Sequence, residues 1–349
     1  MVNKLLFLKS IVISNFRKEH LPFKLSFAVT YRCNLKCSMC NIWKKKPAEE
    51  ELNVGEIDGF FRKANKFSWV GITGGEPFLR EELLNITDII IGHSTRLCAL
   101  HIATNGQFTE KIITLADKIH EKYKKLKIVF TVSIDGPPSL HDKIRGVHGA
   151  WNNAINTVVL LRKKGWVKPQ IGFTLSGHNI DKFDETFTAL KDAIPDIAFD
   201  DININIFQQS DSYYENQYMH KPDEARLLNA IRLILEQDRD KLSFNNFLRR
   251  KYLRLYFKYI SVKKSPLRCK ALSSSFFLDP YGNISPCPMY NKKLINVRDM
   301  KMGFSHIWFG SEASRLRYDC ANGICPGCWN PCDAYSSIIG SFPRALLTK

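Results

Sequence analysis

Nothing in the sequence would carry the chain into or across a membrane. No apolar run among its 349 residues matches the stretch of about 20 apolar residues that a membrane-spanning helix needs. The N-terminal segment MVNKLLFLKSIVISNF is apolar, but Lys4 and Lys9 interrupt it and it has no small-residue cleavage site. We therefore expect no secretory signal, and we expect the protein to be cytoplasmic.

Negative charge is scarce. The chain has 34 acidic and 51 basic side chains, which gives a formal net charge of +17. This excess predicts attraction to anionic partners such as nucleic acid, phosphorylated metabolites, acidic peptides or a lipid surface, but it does not choose among them. A solvated basic surface without any binding role explains the same charge.

Histidines paired at metal-binding spacing are absent, whereas cysteines are plentiful. In a reducing cytosol, the ten cysteines are expected to bind metal rather than to form disulfides. Cys98 lies within a predicted strand and is expected to be a buried core residue. The other nine cysteines fall into one set near the N-terminus and a second set near the C-terminus.

Residues 25–209 alternate short apolar, β-branched runs with amphipathic stretches of helical period. This pattern predicts successive βα units, and six parallel strands with outer helices form an open or partial α/β barrel. The predicted strands are Ser26–Thr30, Trp69–Thr73, Cys98–Ala103, Ile128–Ile134, Gln170–Leu175 and Ile202–Phe207. The predicted helices lie near 54–65, 80–92, 109–125, 150–165 and 181–193.

The chain divides into four predicted parts. Residues 1–24 form a basic amphipathic extension, and residues 25–220 form the barrel. Residues 221–264, which are dense in basic and aromatic side chains, form a helical connector. Residues 265–349 form a small cysteine-rich domain that is held together by metal rather than by a large core.

The connector has two predicted faces. A stripe at spacings of three and four is expected to be buried, and a basic face is expected either to be solvated or to recruit an anionic partner. The stripe is Leu248, Tyr252, Leu255 and Tyr259, and the basic face is Arg250, Arg254 and Lys258.

Each predicted barrel strand is followed by a polar or glycine-rich turn. In chain order the turns contain YRCNLKCSMC, GGEP, TNG, DGPP, SGHN and QQSD. Active sites of parallel α/β barrels gather at the C-terminal ends of the strands. We therefore expect these motifs to share one rim.

The first cysteine set follows the first predicted strand. Cys33, Cys37 and Cys40 form C-x3-C-x2-C with no fourth cysteine nearby. A cubane cluster has four irons, so three thiolates leave one iron open to an exogenous ligand. A zinc site completed by a distant residue is the alternative.

The turn after the second predicted strand, Gly74–Pro77, reads GGEP. Adjacent glycines let the backbone approach a ligand closely, and Glu76 and exposed carbonyls can accept hydrogen bonds from an ammonium group. Together with the three cysteines, this turn predicts a cofactor pocket.

On these motifs, residues 25–210 resemble the radical S-adenosylmethionine (SAM) superfamily, whose members share the cysteine loop, a GGEP-like strand end and a partial barrel. The resemblance implies an α/β fold with a partial (β/α)6 TIM-like barrel. It also implies a [4Fe–4S] cluster whose open iron is chelated by the amino and carboxylate groups of SAM. The implied cluster ligands are Cys33, Cys37 and Cys40, and the implied contacts to the amino group are Gly74, Gly75 and Glu76.

The stretch SIDGPPSLHDKIRG resembles the form found in members with extra clusters. In those members a serine and an arginine bind the methionine carboxylate, and the matching residues here are Ser133 and Arg145. The planar guanidinium of an arginine can donate two parallel hydrogen bonds to one carboxylate. By the same resemblance, Asn105 and Asp135 are expected to help to place the ribose. Met39 departs from the family, which often has an aromatic residue before the third cysteine.

The second cysteine set begins with C-x12-G-x4-C through Gly282. This pattern resembles SPASM and twitch domains, C-terminal extensions that carry auxiliary [4Fe–4S] clusters. The full SPASM form has seven cysteines, whereas this chain has six and continues as C-x4-C-x2-C-x3-C. We expect at least one auxiliary cluster, and zinc is the alternative. The set is Cys269, Cys287, Cys320, Cys325, Cys328 and Cys332.

These motifs predict a radical SAM enzyme of the oxidoreductase or maturase type. It would reductively cleave SAM to a 5′-deoxyadenosyl radical and abstract hydrogen from a substrate, with an auxiliary cluster assisting. The substrate is either a peptide or protein, or else a sugar, cofactor or lipid precursor. No peptide-recognition domain precedes the barrel, which disfavours a leader-dependent peptide maturase.

The resemblance implies a one-electron donor, flavodoxin or ferredoxin, and the net charge favours an anionic substrate. The alternative from another class is a non-catalytic iron–sulfur or zinc protein that binds nucleic acid, which the aromatic and basic connector would support. Binding to nucleic acid or to a membrane surface is less favoured, because neither would need a SAM pocket.

Overall fold

The structure is a computed structural model that describes residues 2–16, 20–47, 49–238 and 243–348. Within these ranges one sheet has nine strands, in the spatial order β6-β5-β4-β3-β2-β1-β7-β8-β9. The strands are β1 (Lys24–Thr30), β2 (Trp69–Gly74), β3 (Ala99–Thr104), β4 (Lys127–Ser133), β5 (Gln170–Leu175), β6 (Ile202–Ile206), β7 (Ser275–Leu278), β8 (Asn283–Ser285) and β9 (Ile295–Asn296).

The α-helices of the described ranges alternate with the first six strands and then follow them. They are α1 (Val2–Phe16), α2 (Val54–Lys63), α3 (Leu83–His93), α4 (Thr109–Lys122), α5 (Pro138–Arg145), α6 (Ala150–Lys163), α7 (Phe183–Ala193), α8 (Glu224–Gln237), α9 (Phe244–Val262), α10 (Phe304–Trp308), α11 (Ser311–Asn322), α12 (Pro331–Gly340) and α13 (Phe342–Leu347). None of them combines the length and the apolar character that crossing a membrane requires.

The first six strands pair in parallel in chain order, which confirms the predicted partial barrel. Strand β3 illustrates the two faces of the sheet. Leu100 and Ile102 are fully buried, whereas His101 and Ala103 are half-buried on the opposite face. Because side chains alternate along a strand, the apolar residues pack under the helices and leave the other face for polar groups.

The sequence pattern predicted a sheet of six strands. In the structure the sheet continues beyond the sixth strand of the chain. Strand β7 pairs in parallel with β1, so β1 lies between β2 and β7. Strands β8 and β9 continue the sheet in antiparallel pairing. The C-terminal, cysteine-rich part of the chain is therefore hydrogen-bonded directly to the strand that leads into the first cysteine set.

The connector forms two helices, α8 and α9. On α9 three residues of the predicted stripe, Leu248, Tyr252 and Leu255, are buried, and the fourth, Tyr259, is half-buried. On the predicted basic face Arg254 and Lys258 are exposed, whereas Arg250 is half-buried. Arg249 also lies in the basic connector, but the structure buries it.

Arg249 is only 2% exposed, because its guanidinium forms ion pairs with Asp238 and Asp200. The buried charge is thus compensated, as a buried charge must be.

Helix α1, in the predicted N-terminal extension, contacts the C-terminal helices. The Asn15 amide donates to the carbonyl of Ile339 at 3.0 Å and accepts from the backbone N–H of Phe342 at 2.7 Å. Both ends of the chain therefore meet at α12 and α13.

Candidate active site

Four predicted site segments lie at the C-terminal ends of neighbouring strands. The cysteine loop follows β1, Gly74 ends β2, Asn105 follows β3, and the half-buried Ser133 ends β4. The predicted common rim is therefore present.

The glycines of GGEP pack against the backbone of the cysteine loop. The N–H of Gly75 donates to the carbonyl of Thr30, and the N–H of Glu76 donates to that of Arg32, both at 2.8 Å. A Cβ on Gly75 would lie 2.1 Å from the Arg32 oxygen, and Gly74 has a φ of +137°. The glycines were expected to admit a close ligand, but the group that comes close to them is the loop that carries the cysteines.

Glu76 is fully buried and binds groups from two neighbouring segments. Its carboxylate accepts hydrogen bonds from the Thr104 hydroxyl at 2.9 Å, the N–H of Asn105 at 2.7 Å and the N–H of Phe78 at 3.2 Å. Burial raises its pKa to about 7. Glu76 thus joins the turn after β2 to the end of β3, and its predicted contact with SAM stays a prediction.

Asn105 is 7% exposed, and its side chain reaches the cysteine loop. Its Nδ2 donates to the Oδ1 of Asn34 at 2.8 Å, and its Oδ1 accepts from the N–H of Gln107 at 3.1 Å. Sequence reasoning assigned Asn105 to the ribose and did not foresee this bond to the loop.

Asp135 and Arg145 form a buried ion pair. The second carboxylate oxygen of Asp135 accepts from the N–H of Thr174 at 2.7 Å. The Nη1 of Arg145 lies 3.7 Å from the Cys37 sulfur, and its Nε is buried without a hydrogen-bond partner among the described residues. The pair therefore links the end of α5 to the first cysteine set, and the Nε–H of Arg145 is the donor that has no partner among the described residues.

The C-terminal end of α5 also supports the cysteine loop through its backbone. The N–H of Lys36 donates to the carbonyl of Arg145 at 3.1 Å, and the N–H of Ser38 donates to that of Ile144 at 2.8 Å. The loop is thus held from α5 and from the ends of β2 and β3.

The three thiols of the loop fit an iron–sulfur cluster by their chemistry. Burial raises the pKa of Cys33 to about 11 and that of Cys40 to about 12. Because thiolates bind metal, both sulfurs must lose their protons when metal binds. All ten cysteines are free of disulfides, and among the described residues no group of His, Cys, Asp or Glu side chains is arranged to hold a single metal ion.

Five of the six cysteines in the second set pack in one group with Ala271 and Met289. Burial, reinforced by the carboxylate of Asp333, raises the pKa of the Cys269 and Cys287 thiols. Cys332, on α12, is not part of that group. The group consists of Cys269, Cys287, Cys320, Cys325 and Cys328.

Two adjacent tyrosines after β6 lie beside the cysteine sets, and sequence reasoning missed them. Tyr214 contacts both sets, whereas Tyr213 packs with the first set alone. The Tyr213 hydroxyl donates to the carbonyl of Gly74 at 3.1 Å. Tyr214 packs both with the group that includes Cys40 and with the group that includes Cys269. Tyr213 lies seven residues after the end of β6, and the doubled tyrosine matches no known motif, so its sequence signal is weak.

Comparison with known proteins supports both predicted domains. A family model described as the radical SAM superfamily matches residues 27–190, and one described as an iron–sulfur cluster-binding domain, SPASM, matches residues 269–329. The antilisterial bacteriocin subtilosin biosynthesis protein AlbA of Bacillus subtilis (strain 168) is 23% identical over 331 residues, which cover 91% of this chain and 68% of AlbA.

A second relative is the Fe-coproporphyrin III synthase of Methanosarcina barkeri (strain Fusaro / DSM 804). It is 30% identical over 232 residues, which cover 64% of this chain but only 53% of the synthase. Among solved structures, native anSMEcpe with bound AdoMet and Kp18Cys peptide has a TM-score of 0.63 at 16% identity, and the match covers 93% of this chain and 98% of that one.

The two matched domains imply a [4Fe–4S] cluster that works with SAM, together with auxiliary iron–sulfur clusters. The matches favour an enzyme over the nucleic-acid-binding alternative. They confirm the predicted family for the matched residues: residues 27–190 match the radical SAM superfamily, and residues 269–329 match a SPASM domain.

Proposed function

We propose that the protein cleaves SAM reductively at the loop of Cys33, Cys37 and Cys40, and that it uses the resulting 5′-deoxyadenosyl radical to abstract hydrogen from a peptide. The observation that carries the proposal is the convergence of Gly75, Glu76 and the Arg145–Asp135 pair on this loop. Bound there, the cluster would supply the electron that cleaves SAM.

In this proposal Arg145 binds the methionine carboxylate. Asp135 holds one side of the guanidinium, and the buried Nε is a donor without a partner among the described residues. A buried unpaired donor is costly, and a ligand carboxylate would satisfy it. Ser133, at the end of β4, is proposed for the same carboxylate.

The amino group of SAM is proposed to contact the Gly74–Glu76 turn. The two oxygens of Glu76 already accept hydrogen bonds, so the backbone carbonyls of the turn are the better acceptors for an ammonium group. Asn105 and Asp135 are proposed to act on the ribose only through the loop and the arginine that they hold.

A peptide is the substrate class that the comparisons support best. AlbA is named for the biosynthesis of a bacteriocin, and its match covers 91% of this chain. The match to the porphyrin-type synthase favours a small-molecule substrate, but it covers only 64% of the chain. Because the match to AlbA covers more of the chain, we propose a peptide substrate. We also propose that a one-electron donor such as a flavodoxin or ferredoxin reduces the cluster.

The test uses anaerobically reconstituted protein with SAM and dithionite, and it measures 5′-deoxyadenosine by chromatography. Replacing Cys33, Cys37 and Cys40 together with alanine should abolish release, by at least about a hundredfold, while iron remains in the second set. Cys98→Ala, which removes a thiol outside both sets, should leave release unchanged. Cleavage that persists in the triple variant would show that the active site lies elsewhere.

A second experiment tests the proposed carboxylate contact. Arg145→Lys keeps the charge but loses the planar fork, so SAM should bind about tenfold more weakly to the cluster-loaded protein. Arg162→Lys is the matched control, because Arg162 forms its ion pairs with Asp196 and Asp201 instead. If equilibrium dialysis gives Arg145→Lys the affinity of the wild type, this role for Arg145 is wrong.

A further inference from the structure

A cavity of about 650 Å³ lies beside the second cysteine set. Cys269 and Cys320 are among its lining residues. A smaller cavity of about 90 Å³ shares part of this wall and adds Lys270. We call the larger cavity the basic cleft, because its charged lining residues are Lys264, Arg268, Arg317 and Arg344. None of the described residues that line either cavity is acidic.

The carboxylates closest to this wall in the chain are engaged elsewhere. Asp319 accepts from the Tyr290 hydroxyl at 3.4 Å and lies 3.7 Å from Arg315. Asp333 accepts from the Ser275 hydroxyl at 3.0 Å. Neither carboxylate forms an ion pair with Lys264, Arg268 or Arg344 within the described residues.

The four cations of the cleft have different roles. The Arg317 guanidinium donates to the carbonyls of Leu272 at 2.6 Å and Trp308 at 2.8 Å, so it holds the wall together. Lys264, Arg268 and Arg344 are exposed, and within the described residues none of these three forms an ion pair. They are therefore available to an anion that enters the cleft.

Neutral groups and one ring complete the lining. Ser265, Ser314 and Asn322 each hold one hydrogen bond within the protein and keep further donors or acceptors, and Tyr318 is 61% exposed. Carboxylates suit the arginines, backbone amides suit the neutral polar groups, and an apolar side chain suits the tyrosine ring. The volume lies in the range of about 300–1,000 Å³ that is usual for ligand sites.

We propose that the basic cleft binds an acidic segment of the peptide that the enzyme modifies. The inference rests on the peptide substrate proposed above and adds the chemistry that selects it. Cys269, which lines the cleft, packs in one group with Tyr214, and Tyr214 also packs with the Cys40 group. A segment held in the cleft keeps the rest of the same peptide near the barrel and raises its effective concentration there.

The experiment compares two double charge reversals in reconstituted protein. Arg268→Glu/Arg344→Glu alters the cleft, and Arg254→Glu/Lys258→Glu makes the same change of net charge on the exposed face of α9. The probe is a fluorescent peptide rich in Glu and Asp, and its Gln and Asn counterpart is the neutral control. Binding is measured by anisotropy at low and at physiological salt, and the iron content of each protein is measured first.

The expected result is selective loss of binding. The wild type should bind the acidic peptide and not the neutral one. The cleft variant should bind at least about tenfold more weakly, because two charge-assisted contacts become repulsive, while the α9 variant should stay within about twofold. Binding should weaken as salt rises, because salt screens exposed charges.

Several outcomes would overturn the proposal. Equal loss in both variants would mean attraction to net charge alone, and equal binding of the neutral peptide would mean that charge is not selected. Loss of iron from the cleft variant would mean that the cations balance an auxiliary cluster. If an acidic flavodoxin displaces the peptide, and if this displacement is lost in the cleft variant, the cleft binds an electron donor instead of the substrate.

The proposed function can fail separately. Release of 5′-deoxyadenosine by wild-type protein is measured without peptide on the same preparation. No release would contradict the radical reaction and leave the binding result intact, whereas release without selective peptide binding would contradict only the cleft.

Discussion

The loop that carries the first cysteine set and the segments that carry the second differ in what holds their sulfurs. Cys33, Cys37 and Cys40 lie in one short loop, which donates backbone hydrogen bonds to α5 and accepts them from the turn after β2. The second set extends from Cys269 to Cys332 over several elements. Five of its six cysteines pack with each other, with two apolar side chains and with two tyrosines.

This difference indicates two ways to prepare a cluster site. In the first, protein contacts fix the loop before any metal binds, which suits a site that must position SAM. In the second, distant segments are brought together, and the bound cluster is expected to contribute much of the local stability.

Removing iron should have the largest effect. A chelator under reducing, anaerobic conditions should speed amide exchange in residues 320–332 by at least about a hundredfold, because the cluster no longer joins these segments. The amides of Lys36, Ser38 and Glu76 should stay protected, since their acceptors are backbone carbonyls. Hydrogen-exchange mass spectrometry with and without iron measures both regions. Equal loss of protection in the two regions would contradict the proposed difference between the two cysteine sets.

A pair of glycine substitutions should give the next largest effect. Gly75→Ala would place a Cβ 2.1 Å from the Arg32 oxygen, so it should cost about 3 kcal/mol or more in the free energy of unfolding. Gly323 lies beside the second set and has a φ of +69°, and a Cβ added there would come no closer than 3.7 Å to another atom. Gly323→Ala should therefore lower the free energy of unfolding by only about 1 kcal/mol, from backbone strain. Urea denaturation of both variants measures the difference, and equal costs would contradict tight packing at the first loop.

Acid should weaken the barrel that supports the first loop. Burial lowers the pKa of His101 from 6.5 to about 4, so between these values the unfolded chain binds more protons than the folded one. This contribution to stability is complete above pH 6.5 and falls by about 3 kcal/mol as the pH drops toward 4. Urea denaturation of the wild type and of His101→Gln from pH 4 to 7.5 gives the free energy of unfolding at each pH. This free energy should change less with pH in the variant, and an identical pH dependence in both proteins would contradict the role of His101.

The smallest effect concerns two asparagines. Asn105→Ala removes buried bonds to Asn34 and Gln107 and should cost about 1–2 kcal/mol, with less iron retained in the first set. Asn322→Ala removes an exposed bond to the Tyr318 carbonyl and should cost less than about 0.5 kcal/mol. Thermal unfolding and iron content of the two variants test the contrast, and an equal cost would contradict the anchoring role of Asn105.

Much of the barrel was predictable because its signals are local. Apolar runs such as Gln170–Leu175 alternate with helical stretches, and a strand and its following turn are adjacent in sequence. The pairing of β7 with β1 was not predictable, because β7 is only four residues long and its partner lies at the other end of the chain. A short apolar run carries no information about which strand it joins.

The candidate site divides in the same way. The residue types of the cysteine loop and of GGEP identified the rim, but the partners of individual side chains depend on tertiary structure. Asp135 was expected at the ribose, whereas both of its oxygens are bound to Arg145 and Thr174. Tyr214 carried no motif, and only the fold brings it between the two cysteine sets.

The position of β1 between β2 and β7 has a consequence for how the chain is made. Lys24 pairs with Ser275, so one edge of β1 has no partner until the 250 residues between these two positions and the strand β7 itself have left the ribosome. Contacts so distant in sequence slow folding, and an unpaired edge can recruit strands of other nascent chains. A chain terminated before Ser275 would keep that edge open permanently, and we expect it to aggregate rather than to yield an isolated barrel.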